Sequence, residues 1–154
     1  MTPILLQMPS GPTPFTTLAL DFTGTLSEDG RLLPGVEERL RELVADLRIV
    51  VLTADTFGTA RDAMRDSPVE VRVIRDGWHK AEILSGMDQE GVVAIGNGRN
   101  DIPMMEAAGL GIAVIGPEGA AASLLSAADV VTRDIRDALD LLRHPLRLKA
   151  TLRD

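Results

Sequence analysis

Thr17-Leu18-Ala19-Leu20-Asp21-Phe22-Thr23-Gly24-Thr25-Leu26 is the stretch whose reading decides the fold. An apolar run ends in an aspartate and then breaks at a glycine, the pattern of a buried strand giving way to a turn. Open α/β sheets bind their ligands outside the carboxyl ends of their strands, which is where Asp21 falls. A carboxylate held there has the chemistry to attack phosphorus and form an aspartyl phosphate. Thr23, two residues on, decides how fast such an intermediate would break down.

Outward from this stretch, short apolar runs alternate with helical spacing. The runs are Thr17–Phe22, Arg48–Thr53, Val69–Ile74, Val92–Ile95, Gly111–Ile115 and Val130–Thr132. Val36, Leu40, Leu43, Val44 and Leu47 share one face of a helix opened by Pro34-Gly35. Residues 56–66, 78–87, 101–108, 120–127 and 135–142 read as further helices. Near-continuous apolar strands separated by helices indicate a parallel sheet covered on both faces. The expected fold is a three-layer, doubly wound, Rossmann-like α/β domain with five or six strands. Pro9-Ser10-Gly11-Pro12-Thr13-Pro14 is rich in breakers, so residues 1–15 are expected to form an arm or lead-in. Residues 16–145 are expected to form the domain. The basic, amphipathic residues 146–154 are expected to pack on it or on a neighbouring subunit.

Composition narrows the function. The 154 residues carry a net charge of −7, which argues against a general binder of nucleic acid or anionic membrane. An anionic substrate would therefore need a local positive centre, most simply a divalent metal. Cysteine is absent, which removes disulfides and thiolate metal sites and suits a reducing cytoplasm. Met1–Pro14 lacks the basic start and long apolar stretch of a signal peptide. No run approaches the ~18 apolar residues of a membrane span. A soluble cytoplasmic protein is expected.

Three further segments belong with Asp21. Val50-Val51-Leu52-Thr53 ends a strand in a hydroxyl and is followed by Ala54-Asp55-Thr56. Lys80 lies in the first turn of an expected helix. Val92-Val93-Ala94-Ile95-Gly96 ends a strand and leads into Asn97-Gly98-Arg99-Asn100-Asp101. A carboxylate, a hydroxyl, an ammonium and a second carboxylate, all at strand ends or helix starts, suit phosphoryl transfer, which needs positioning and charge cancellation.

With these four segments in this order, residues 16–145 resemble the haloacid dehalogenase-like hydrolases, and in particular their small, capless members similar to P-type ATPases. Asp21-Phe22-Thr23-Gly24-Thr25 resembles the first family motif, Thr53 the second, Lys80 the third and Gly96–Asp101 the fourth. The resemblance implies a Mg²⁺-dependent phosphatase in which Asp21 is nucleophile and metal ligand. It also implies metal ligation by the Thr23 carbonyl, by Asp101 directly or through water, and at the Asn97 position. Thr53, Ala54, Lys80 and the backbone N–H groups from Phe22 to Gly24 would hold phosphoryl oxygens.

Two departures qualify this. Thr23 stands where most relatives carry an aspartate that exchanges protons, so turnover is expected to be slow. Asn97 replaces a frequent magnesium-ligating aspartate and lowers the charge available to the metal. The alternative is a regulatory or binding module of the same fold with little turnover. The intervals between motifs hold a small flap (residues 27–33, tip at Asp29-Gly30) but no cap domain, so the site is expected to be open. Its partner would be a phosphorylated small molecule or macromolecule, with a second copy of the chain as an expected lid. Taken singly, the residues have plainer readings: Asp21, Thr53 and Asp101 as caps, Lys80 as a solvated helix lysine, Asp55 as structural, and Trp78 as core.

Overall fold

The computed structural model describes all 154 residues. The chain opens with β1 (Ile4–Met8) and β2 (Gly11–Phe15) and enters its central sheet with β3 (Thr17–Leu20). A flap of β4 (Ser27–Glu28) and β5 (Arg31–Leu32) precedes α1 (Val36–Leu43), β6 (Arg48–Thr53), α2 (Ala60–Ala63), β7 (Glu70–Val73) and α3 (Gly77–Ser85). The second half runs β8 (Val92–Gly96), α4 (Ile102–Ala107), β9 (Leu110–Val114), α5 (Ala122–Ala127), β10 (Val130–Thr132), α6 (Ile135–Arg143) and α7 (Pro145–Leu152).

Six strands form one parallel sheet in the order β10-β9-β8-β3-β6-β7. Alternation along each strand serves two cores at once. Leu18 and Leu20 of β3, Ile49 and Val51 of β6, and Val93 and Ile95 of β8 join one cluster, with Leu40 of α1 and Leu139 of α6. Ala19, Val50, Leu52, Val92 and Ala94 face the other way, against Leu84 of α3 and Met104 of α4. This two-sided burial makes the strands read as continuous apolar runs. On the first face a paired Arg39 and Asp140 (2.9 and 3.2 Å) tie α1 to α6.

The chain leaves β3 for β6 and β7 on one side, then crosses back to β8 on the other. The crevice between β3 and β8, at their carboxyl ends, is therefore the switch point where open α/β sheets bind ligands. Leu20 is level with Val51 and Ile95, so Asp21, Thr53 and Gly96 leave the sheet together. No helix is long and apolar enough to cross a membrane.

Three local expectations need correction. Residues 1–15 are not an arm: they form an antiparallel hairpin whose Leu6 and Phe15 are fully buried in the larger core and whose β1 lies against α7. Pro12 and Pro14 fit because β2 pairs only with β1, so its missing donors face no second strand. Trp78 is 75% exposed rather than core, because the second residue of α3 points off the sheet. The expected helix over 56–66 shrinks to Ala60–Ala63, since Asp55 (φ 56°) and Gly58 (φ 69°) turn the chain left-handed before it.

The hairpin makes a measurable contribution. Leu6→Ala is expected to destabilise the protein by about 2–5 kcal/mol in urea unfolding, the loss typical of a core leucine. A loss under about 0.5 kcal/mol, the effect of a surface change, would mean that the hairpin is not part of the cooperative core.

Candidate active site

The turn after β3 is shaped around its glycine. Gly24 has φ 78°, and a Cβ there would meet the Asn97 amide nitrogen at 2.5 Å, so both backbone and space exclude a side chain. The Phe22 carbonyl accepts from the N–H groups of Thr25, Leu26 and Ser27 and from the Ser27 hydroxyl. The Phe22 ring is buried in the core. The N–H groups of Phe22, Thr23 and Gly24 donate to no protein acceptor, which leaves them free as an anion nest.

Lys80 is fully buried and joins the sites on β3 and β8. Its Nζ donates to Asp21 Oδ1 at 2.8 Å and to Asp101 Oδ1 at 2.5 Å. Asp76 caps α3 through the His79 N–H (2.9 Å), and glycine at Gly77 lets the helix abut the Asn100 carbonyl. That close approach brings Lys80, the fourth residue of α3, to the carboxylates. Asp101 has both oxygens engaged: Oδ2 accepts from the Asn97 and Gly98 N–H groups at 3.2 and 3.0 Å. Gly98 has φ −104°, so the left-handed conformation that explains Gly24 does not explain it.

Two buried carboxylates share one ammonium, leaving a net negative charge in the interior. Burial, and then repulsion from Asp101, push the Asp21 carboxyl up to about 7, against the pull of Lys80 and Thr25. Burial works against the Lys80 ammonium, yet the carboxylates of Asp21 and Asp101 hold its pKa above the ordinary lysine value.

Thr25 is the functional residue that sequence reasoning left without a role. Its hydroxyl stands 3.1 Å from Asp21 Oδ2 and 3.1 Å from Asn97 Oδ1. One proton faces two acceptors, so one of them lacks a donor. The Asn97 amide nitrogen is fixed by the Gly119 carbonyl at 3.0 Å, which keeps the amide oxygen on the Asp21 side. The only sequence signal was a hydroxyl four residues after the aspartate in the same turn.

Thr53 is positioned by its own loop. Its Oγ1 accepts from the Asp55 N–H at 2.9 Å, so its hydroxyl proton is free to donate elsewhere. The Asp55 carboxylate caps α2 through the Ala60 N–H at 2.9 Å. Above these groups lies a pocket of ≈ 200 Å³ with one apolar lining residue, Ala54. Asp21 and Thr53 form its floor, and Thr23 and Asn97 its wall. Lys80 and Asp101 lie beneath the lining.

A magnesium ion fits this donor set. Nowhere in the chain do three His, Cys, Asp or Glu side chains converge as a cage. Mg²⁺ needs no such cage, because it keeps waters and takes one or two carboxylates with phosphate oxygens. The uncompensated negative charge and the surplus acceptor facing Thr25 are what a cation would satisfy.

A family model described as haloacid dehalogenase-like hydrolase matches residues 53–138. An uncharacterised protein of Methanocaldococcus jannaschii is 48% identical over 79 residues, covering 49% of this chain and 85% of that one. A 3-deoxy-D-manno-octulosonate 8-phosphate phosphatase of Moraxella catarrhalis, in complex with magnesium, phosphate and KDO, has a similar structure. Its TM-score is 0.70 at 17% identity, over 89% of this chain and 92% of that one. A zinc-transporting PIB-type ATPase gives a TM-score of 0.65 at 24% identity, over 77% of this chain and 20% of that one. At these identities the two structures are alike in fold.

The geometry gives Asp55 a structural task, and that can be measured. Asp55→Asn keeps an acceptor and a residue that tolerates positive φ, so stability is expected to change by under about 0.5 kcal/mol. Asp55→Val loses the cap and puts a branched side chain at φ 56°, for an expected loss of about 2–3 kcal/mol in thermal unfolding. Asparagine as damaging as valine would contradict this assignment.

Proposed function

The chain belongs to the haloacid dehalogenase-like hydrolase family, and from that membership we propose that it is a Mg²⁺-dependent phosphohydrolase working through an aspartyl phosphate on Asp21. The observation that carries the reading is the placement of Asp21 on the floor of the switch-point pocket, 2.8 Å from a buried lysine.

An Asp21 oxygen attacks phosphorus in line, the ester bond breaks, and the alcohol leaves. Water then attacks the acyl phosphate and releases phosphate with the carboxylate restored. Thr53 donates its free hydroxyl proton to a phosphoryl oxygen, and the Phe22–Gly24 N–H groups receive the others. Lys80 holds the Asp21 carboxylate in place and lowers its repulsion towards the anion. Asp101, with both oxygens engaged, fixes Lys80 and the Asn97-Gly98 backbone and would reach a metal through water. Asp21, the Thr23 carbonyl and the Asn97 amide oxygen would hold Mg²⁺. When bound, that ion would cancel charge on the transferring phosphoryl group.

Thr23 has no proton to exchange at neutral pH. General acid–base help is worth about 10²–10⁴-fold, so both leaving-group departure and water attack are slow here. A second reading, a binding module with little turnover, has Thr23 in its favour. Beryllofluoride binding without hydrolysis of any phosphate ester would select it. The open mouth fits a substrate whose bulk lies outside the pocket, or a second copy of the chain as lid.

The unaltered protein is expected to hydrolyse an aryl phosphate with Mg²⁺ and to stop on chelation, and Asp21→Asn is expected to abolish that hydrolysis. Full activity in the variant would end the mechanism. Thr23→Asp is expected to raise turnover at least about tenfold, within the range of acid–base help. An unchanged rate with metal still bound would place the slow step elsewhere.

A further inference from the structure

The mouth of the pocket carries a charge that phosphoryl transfer does not use. Glu118 lines it, on the loop between β9 and α5, exposed where Asp21 and Thr53 are buried. The loop is fixed to the site from two sides. Asn97 bonds to it twice, Nδ2 donating to the Gly119 carbonyl (3.0 Å) and its own carbonyl accepting from the Ala121 N–H (2.9 Å). Gly116 packs on the Gly24 carbonyl. Glu118 Oε2 accepts from the Asp29 N–H at the flap tip, 3.0 Å away. That is the only hydrogen bond of the side chain, and no Lys, Arg or His forms an ion pair with it.

Phosphate-handling mouths ordinarily recruit arginine or lysine. Here no lining residue is cationic, because Lys80 lies beneath the floor. The other exposed polar lining residues are Thr56 and Asn100, both neutral. With the phosphoryl group on Asp21, its leaving group faces Thr56, Asn100 and an uncompensated carboxylate. We propose that Glu118 selects the substrate by charge, favouring phosphate monoesters whose leaving group carries an ammonium over neutral ones, and neutral over anionic ones. The inference rests on the phosphohydrolase reading only in taking the floor as the phosphoryl site. A flap latch alone would need one acceptor oxygen, which glutamine supplies equally well.

Three phosphonates of similar size, which cannot be hydrolysed, separate these roles: 2-aminoethyl-, propyl- and 2-carboxyethylphosphonate. Calorimetric titration with Mg²⁺ at low salt is expected to rank them in that order. The amine and the carboxylate should differ by roughly three- to tenfold, the scale of exposed ion pairs. The spread is expected to fall within about twofold in Glu118→Gln and in 1 M NaCl, where screening is nearly complete. Equal affinities in the unaltered protein, or the same spread in Glu118→Gln, would overturn the proposal. Binding of none of the three would remove the phosphoryl floor and the proposal with it. Assaying the matching phosphate esters in parallel distinguishes the two readings: ordered binding without hydrolysis of any ester supports charge selection and counts against turnover.

Discussion

The buried ammonium of Lys80 between Asp21 and Asp101 is the interaction on which the rest of the structure depends. It joins the loop after β3, the first turn of α3 and the turn after β8, three segments distant in sequence, at one point. Each charge alone would be costly inside the protein. Together they are two against one, and removing the lysine would leave two buried carboxylates facing each other. The arrangement holds the ends of the central strands in register and stores the negative charge that draws a cation. Stability and function are therefore coupled through this lysine.

Most of the fold was legible because its strands are buried on both faces. Apolar runs such as Val50–Leu52 and Val92–Ile95 admit few other readings, and the helices between them force parallel crossovers. The hairpin at residues 4–15 was not legible. Its prolines look like breakers, and only the buried partners of Leu6 and Phe15 show that an edge strand tolerates them. Trp78 misled for a related reason: a large apolar residue is informative about burial only on average, and its helix position turns it outward.

In the site, the residues with distinctive chemistry were visible in the sequence, whereas those whose role is relational were not. Asp21, Thr53, Lys80 and Asp101 have types and spacings that point to phosphate chemistry. Thr25 acquires meaning only from two oxygens, one of them 72 residues away. Asp55 looked like a motif acid, yet its backbone N–H and its carboxylate both serve the loop that presents Thr53. Glu118 sits in a segment without helical or strand pattern, and a loop carboxylate in an acidic protein carries no signal of its own.

The rim of the pocket is cross-braced in a way that bears on how a capless site works. The flap tip turns through Asp29 and Gly30, both at positive φ, and is held on opposite sides. Thr59 donates to the Gly30 carbonyl at 2.7 Å, while the Asp29 N–H donates to Glu118. The loops after β6 and β9 are thus linked through the flap, so the mouth keeps its shape without a cap. Rigidity of this kind orients a phosphoryl group but does not exclude water from it, and exclusion is what strengthens electrostatic catalysis in closed sites. With Thr23 unable to deliver a proton to that water, an exposed acyl phosphate would still hydrolyse slowly. The same threonine that lowers the rate is thus what makes an open site compatible with a covalent intermediate that persists.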